Sequence, residues 1–221
     1  MKQLFSLSLF ILGFVTLGIA QPKGLGKNDP DAKKILDAVS AKFKTFKAVQ
    51  AKFTLKIENA SGKTIDSKSG TVYMKGAKYR ISITGQEIYC DGSTVYTYDK
   101  SSNEVTITKI DPSANSLTPQ KLFTNFYDKD FLYRLNGETK IAGKIYKEIE
   151  LTPVDKTKPF FKVLVYVDKA TNTISSTKVF EKGGNRFTYS VNTMNTTTPI
   201  ADNSFTFDSK KYPGVEVVDL R

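Results

Sequence analysis

In the stretch YCDGSTVYTYD, residues 89–99, the single cysteine of the chain stands among acids and tyrosines. Such a set could hold a thiolate nucleophile, but a thiolate needs a neighbour that lowers its pKa, and the usual neighbour is histidine. The chain contains no histidine. Ser-His-Asp and Cys-His nucleophile systems are therefore excluded, as are zinc sites built on imidazole. One thiol forms no internal disulfide, and the better reading of Cys90 is a small buried apolar residue.

What remains for catalysis is a carboxylate pair, a lysine base or a carboxylate-bound cation. Only Asp128-Lys129-Asp130, Asn28-Asp29-Pro30-Asp31 and Glu148 with Glu150 approach the required spacing. The first two sit beside expected helix ends, where acids and turn residues are common, and the third alternates on an exposed strand face. Gly24-Leu25-Gly26-Lys27 has the composition of a phosphate loop, but an apolar N-terminal segment precedes it where a strand is required. The expectation is a protein that is not an enzyme, with no catalytic residues, no metal and no cofactor.

The elements that must position these residues follow from periodicity. From Asp29 to about Lys47, Ile35, Leu36, Val39, Phe43 and Phe46 recur at helical spacing, with Asp29 as cap and Pro30 at the first helical position. A second run has Thr118 as cap and Pro119 at the first position, then Leu122, Phe123, Phe126 and Tyr127 on one side. Elsewhere the period is two, as in AKFTLKI, TVYM, KYRISI, EVTI, FKVLVYV and RFTYSV, with tight turns between. Tight turns imply antiparallel pairing throughout, because parallel pairing needs long crossovers.

Asp91-Gly92 predicts a two-residue hairpin that pairs Cys90 with Ser93 and Ile88 with Val95. Ile88, Cys90 and Val95 then share one face while Tyr89, Tyr96 and Tyr98 share the other, so the opening stretch is a wall with an aliphatic and a tyrosine side. An aliphatic set recurs along the chain: Phe53, Leu55, Ile57; Val72, Met74; Ile81, Ile83; Val105, Ile107. A curved sheet with helices over that face is either a plain α+β core or an apolar pocket with a lid, and composition does not choose between them.

Residues 1–20 are expected to be a secretory signal peptide: Lys2, an apolar run, and Gly18-Ile19-Ala20 before a cleavage point near Ala20. Residues 21–221 form a single domain, exported, with no cysteine placed to carry a lipid. Their charge is positive, as the whole chain has 33 Lys and Arg against 22 Asp and Glu. Only Arg80, Arg134, Arg186 and Arg221 are arginines, and the lysines are scattered without an aromatic stacking motif, so a solvated surface and not nucleic acid is the expectation. Attraction to acidic proteins or anionic membrane surfaces is the weaker alternative.

The ordered set AKKILDAVSAKFKTFKAVQAKFTLKIENASGK, SGTVYMKGAKYRISI, YCDGSTVYTYDKSSNEVTI, LTPQKLF and FTFDSKKYPGVEVVDLR resembles the LolA family of periplasmic carriers of outer-membrane lipoproteins. The resemblance runs from about Asp31 to Arg221. It implies an α+β fold in which a curved antiparallel sheet of about ten to eleven strands forms an incomplete β-barrel, with helices as a lid over an apolar cavity. By that resemblance the cavity is lined by Phe53, Leu55, Ile57, Val72, Met74, Ile81, Ile83, Ile88, Val95, Val105 and Ile107, and the lid carries Leu36, Val39, Phe43, Phe46, Leu122, Phe123 and Phe126.

The implied partners are acylated lipoproteins as cargo, an inner-membrane lipoprotein-releasing ABC transporter and an outer-membrane lipoprotein receptor, the carrier being a periplasmic monomer. The competing reading is a periplasmic sensor or adaptor that binds lipid or lipoprotein without handing it on, and a hydrolase ranks last. Family members often carry an arginine in the turn after the strand matching TVYM, where it bonds to the lid. Here that turn is Lys75-Gly76-Ala77-Lys78, and the nearest arginine is Arg80 in the following strand.

Overall fold

The computed structural model describes residues 27–110 and 127–221. Helix α1, Pro30–Lys44, begins where the cap residues require: the Asp29 carboxylate accepts from the Asp31 N–H at 2.9 Å, and Pro30 costs nothing at a position whose N–H has no helical partner. Asp31 in the first turn and Lys42 and Lys44 in the last complement the helix dipole. The helix stops three residues before the expected Lys47, because Ala48 and Val49 are already buried as the chain enters the first strand.

Twelve strands follow: β1 Val49–Glu58, β2 Thr64–Lys75, β3 Lys78–Ile83, β4 Gln86–Cys90, β5 Thr94–Asp99, β6 Glu104–Lys109, β7 Phe131–Ile141, β8 Lys144–Pro153, β9 Phe160–Asp168, β10 Thr173–Glu181, β11 Arg186–Asn195 and β12 Glu216–Asp219. They form one sheet in the order β12-β6-β5-β4-β3-β2-β1-β11-β10-β9-β8-β7. β12 and β7 are its two edges, so the curved sheet stays open and the barrel is incomplete. A short helix α2, Tyr127–Asp130, leads into β7. The expected second lid helix, with Leu122, Phe123 and Phe126, lies outside the described residues.

Two features depart from expectation. The β12–β6 pair is parallel, with Val217 opposite Val105. More than a hundred residues separate the two strands in sequence, ample for a crossover, so the tight-turn rule does not reach this pair. The β4–β5 hairpin is shifted by two: Cys90 pairs with Val95 and Tyr89 with Tyr96. The Asp91 N–H reaches the Thr94 carbonyl at 3.2 Å, making Gly92-Ser93 the loop, with Gly92 at φ +103°. The cause is the Asp91 carboxylate, which accepts from the N–H groups of Ser93 and Thr94, both at 2.8 Å, and so stands before the turn instead of inside it. A slip of two preserves the faces, and Cys90 with Val95 still opposes Tyr89 with Tyr96.

α1 lies across the aliphatic face of β7–β10. Ala32, Ile35, Leu36 and Val39 pack there with Tyr133, Ile149, Leu151, Val163, Val165 and Val167, all buried. Its N-terminus is fastened to the edge strand: Asp29 N–H donates to the Tyr133 carbonyl at 3.1 Å, and the Asn28 and Asp29 side chains accept from the N–H groups of Tyr133 and Leu135. The Tyr127 hydroxyl donates to Asp37 at 2.7 Å, tying α1 to α2. The acids at 29–31 and 128–130 therefore serve the helix ends, as the spacing suggested.

Candidate functional site

Five cross-strand rows build the aliphatic face. Nearest the C-terminal end of α1, Val95, Cys90, Tyr79, Met74 and Val49 stand side by side. The next row is Ile88, Ile81, Val72, Ala51 and Met194, and the third is Ile83, Gly70, Phe53 and Val191. Further along, Leu55 continues through Tyr189 to Thr177 and Val165, and Ile57 through Phe187 to Val179 and Val163.

Cover over these rows is uneven. The first is closed by Phe43 and Phe46, which meet edge to face with centroids 6.0 Å apart, and Met74, Tyr79 and Cys90 are buried beneath. Burial pushes the Cys90 thiol up, against nucleophilic use, and pushes Tyr79 to about 12. Under α1, Ile149, Leu151 and Val167 are at most 1 % exposed. Between these two covered regions Phe53, Leu55, Ile57, Val72, Ile81, Ile83 and Ile88 are only half-buried, as is Val95 at the outer end of the first row. A shallow groove, open to solvent and too small to enclose a guest, runs beside the end of α1 between Lys42, Phe43, Phe46, Asn172, Ile174 and Met194.

Gly70 is a site residue that the sequence reading passed over. A Cβ there would stand 2.6 Å from the Phe53 ring and 2.7 Å from the Ser82 carbonyl, so its absence makes room for the ring against the β2 backbone. A glycine inside an alternating strand was the available signal.

Val105 and Ile107 require correction. Val105 pairs with Tyr98 and Ile107 with Tyr96, so both belong to the tyrosine face, and β6 shows Thr106 and Thr108 to the aliphatic side. Alternation groups residues by face without saying which face is which. Here the C-terminal segment covers the tyrosine side: Phe207 packs on Tyr89 and Tyr98, Tyr212 lies 4.3 Å from Tyr98 between centroids, and Val105 has no exposure.

Arg80 also faces the tyrosine side, away from α1. Its guanidinium is 3.1 Å from Glu87 and 4.9 Å from the Tyr89 ring centre. It is no displaced counterpart of the latch arginine for α1. The turn lysines instead hold the C-terminal segment, since Lys75 and Lys78 reach the Asp202 carboxylate at 2.7 and 2.9 Å. Hydrogen bonds from Lys75, then Lys78, and their charges lower Asp202 to about 2. Its folded pKa is depressed, so the clamp is complete above the ordinary aspartate range and is lost only as pH falls through about 2. Hydrogen exchange in residues 200–205 is accordingly expected to be equally slow at pH 7 and pH 4 after correction for intrinsic rates, and to accelerate in Asp202→Ala. Equal protection in that variant would show that the lysines do not hold the segment.

Among the described residues, no three His, Cys, Asp or Glu side chains gather as a metal site would need, and no helix is long and apolar enough to cross a membrane. The open sheet, antiparallel except for its β12–β6 edge, carries a helix across part of an apolar face and leaves the rest half-covered. The chain belongs to the LolA family: the family described as outer membrane lipoprotein carrier protein LolA matches residues 44–208. An outer-membrane lipoprotein carrier protein of Cupriavidus necator is 30% identical over 173 residues, covering 75% of this chain and 79% of the relative. Its counterpart in Cupriavidus taiwanensis is 31% identical over the same shares. The fold is shared with an uncharacterized conserved protein from Thermus thermophilus, with a TM-score of 0.59 at 14% identity, covering 86% of this chain and 99% of that one.

Proposed function

We propose that this protein is a periplasmic carrier that binds the acyl chains of lipoproteins released from the inner membrane by an ABC transporter and delivers them to an outer-membrane receptor. The observation that carries this reading is the contrast in cover: the β7–β10 half of the aliphatic face is sealed by α1, while Phe53, Leu55, Ile57, Val72, Ile81, Ile83, Ile88 and Val95 are left half-open in the same sheet. A plain core would bury both halves alike. Acyl chains laid on this patch lose contact with water at about 0.8 kcal/mol per methylene. Against a bilayer the exchange is close to neutral, because the chains leave one apolar medium for another, so a loose and partly open site suits both loading and release.

A release assay tests the reading. Purified protein beginning at Gln21, added to inner-membrane preparations that contain the exporter and newly made lipoproteins, is expected to bring lipoprotein into the soluble fraction as a one-to-one complex. Subsequent loss of that cargo to outer-membrane preparations separates a carrier from a sensor or adaptor, which would bind and keep it. No release above a buffer control would overturn the proposal.

A further inference from the structure

The β7–β8 hairpin ends in an apolar tip. Its loop is Ala142-Gly143, both at positive φ, +47° and +80°. Turns of this kind favour Asn-Gly or Asp-Gly, whose side chains suit water and the left-handed backbone. Here an alanine, with its Cβ, occupies the left-handed position. Ile141 before the loop is 52% exposed and Ile145 after it is 42% exposed, so two exposed isoleucines flank a single turn.

Lysines frame the tip. Ile141 stands opposite Lys144, and Lys140 opposite Ile145, so each face of the ribbon shows one isoleucine beside one lysine. Neither Lys140 nor Lys144 has an acidic partner among the described residues. Lys169 of the neighbouring β9–β10 turn is paired with Glu138 at 2.8 Å, but the exposed Lys42, Lys44 and Lys47 lie at the same end of the sheet, where the end of α1 meets the start of β10. Lysines on an edge strand can serve to block edge-to-edge pairing, which accounts for Lys140. It does not account for isoleucines on both faces of a turn that also lacks a polar residue.

We propose that this tip docks the protein on an anionic phospholipid surface, with Ile141, Ala142 and Ile145 entering the headgroup boundary and Lys140 and Lys144 beside the phosphates. Two isoleucines are too little apolar surface for a specific protein interface, which needs about 1,000 Å² or more, but suit a shallow, reversible contact with a fluid surface. The proposal goes beyond the carrier reading and does not depend on acyl binding.

Co-sedimentation of the chain from Gln21 onward with vesicles of phosphatidylglycerol and phosphatidylethanolamine, against vesicles of phosphatidylcholine alone, tests it. Preferential binding to the anionic vesicles, weakened by salt, is expected. Each lysine near such a surface is worth roughly fivefold in affinity. Lys140→Glu with Lys144→Glu should therefore reduce binding by more than about twentyfold, and Ile141→Ser with Ile145→Ser by about tenfold or more. Lys63→Glu, exposed in the β1–β2 turn at the opposite end, should leave binding within about twofold. Since the chain has no tryptophan, Ile141→Trp gives a direct readout, and its emission should shift to the blue on anionic vesicles. All variants should take up an acyl probe like the wild type, which separates failure here from failure of the carrier reading. No binding of the wild type to anionic vesicles, an unshifted tryptophan, or equal loss in Lys63→Glu and the isoleucine variant would overturn the proposal, the first pointing to an acidic protein as the partner.

Discussion

Leu55→Glu and Ile83→Glu are each expected to lower uptake of a fluorescent fatty-acyl probe by more than about tenfold while reducing folding stability by less than about 2 kcal/mol. Both side chains are half-buried on the aliphatic face. In the empty protein a carboxylate at either position can turn to water, so the folding cost stays modest. In the loaded protein the same carboxylate would lie against acyl chain, either unsolvated or protonated, at a cost of several kcal/mol. Tyr96→Ala is the control. Tyr96 stacks near Phe207, 6.4 Å between centroids, on the other side of the sheet, so its loss should lower stability and leave uptake intact. Equal uptake by all three variants would refute the placement of the cargo on the aliphatic face.

The second large effect belongs to Glu87, buried on the tyrosine side. Its carboxylate is 3.1 Å from both Arg80 and Lys100 and accepts from the Tyr89 hydroxyl and from Tyr212 at 3.2 Å. Tyr212 belongs to the C-terminal segment, so one carboxylate joins β3, β4, the β5–β6 turn and that segment. Glu87→Leu removes the acceptor for two hydroxyls and the counter-charge of Arg80, whose Nε has no partner as it is. A loss of about 2 kcal/mol in urea unfolding is expected, at the low end for a buried pair because Arg80 and Lys100 keep contact with water. The release of residues 205–215 should be visible as faster hydrogen exchange.

The same group carries a pH signature. Burial pushes Glu87 up, but the Tyr89 hydrogen bond, then Lys100 and Arg80, outweigh it and hold the carboxyl below the ordinary value of 4.5. A depressed folded pKa means that the stability is fully present above the ordinary value and is lost as pH falls through the folded one. The stability curves of wild type and Glu87→Gln should therefore stay apart from pH 7 to about 5 and converge in acid. Curves parallel down to pH 3 would show that the ionised form of Glu87 contributes nothing.

Much of the site was legible in the chain because it rests on local rules. The α1 cap at Asp29 and Pro30, the aliphatic sets Phe53-Leu55-Ile57 and Ile81-Ile83, and the burial of Cys90 each follow from neighbours within a few residues, and the structure shows them. Arg80 was ambiguous because a strand residue's side is set by its partners, and its partners are Glu87 and Tyr89. Gly70 was missed because its role lies in the ring of Phe53, across a strand pair.

By itself, then, the sequence determined α1 with its cap, the alternation that splits each strand into two faces, and the lack of histidine chemistry, since these depend on side-chain period, capping and composition. Three matters were decided only by tertiary structure. The parallel pairing of β12 with β6 turned on the C-terminal segment returning to that edge of the sheet, with Val217 opposite Val105. The side taken by Val105 and Ile107 turned on Phe207, Tyr212 and β12 arriving from about a hundred residues away to bury the tyrosine face, leaving threonines for the other. The placement of cover over the aliphatic face turned on where the fifteen-residue α1 docks, fastened at Asn28 and Asp29 to the far edge strand β7. At about 1.5 Å per residue it spans roughly 22 Å, which seals the β7–β10 half and leaves the faces of β1–β5 beyond Phe43 and Phe46 only partly covered.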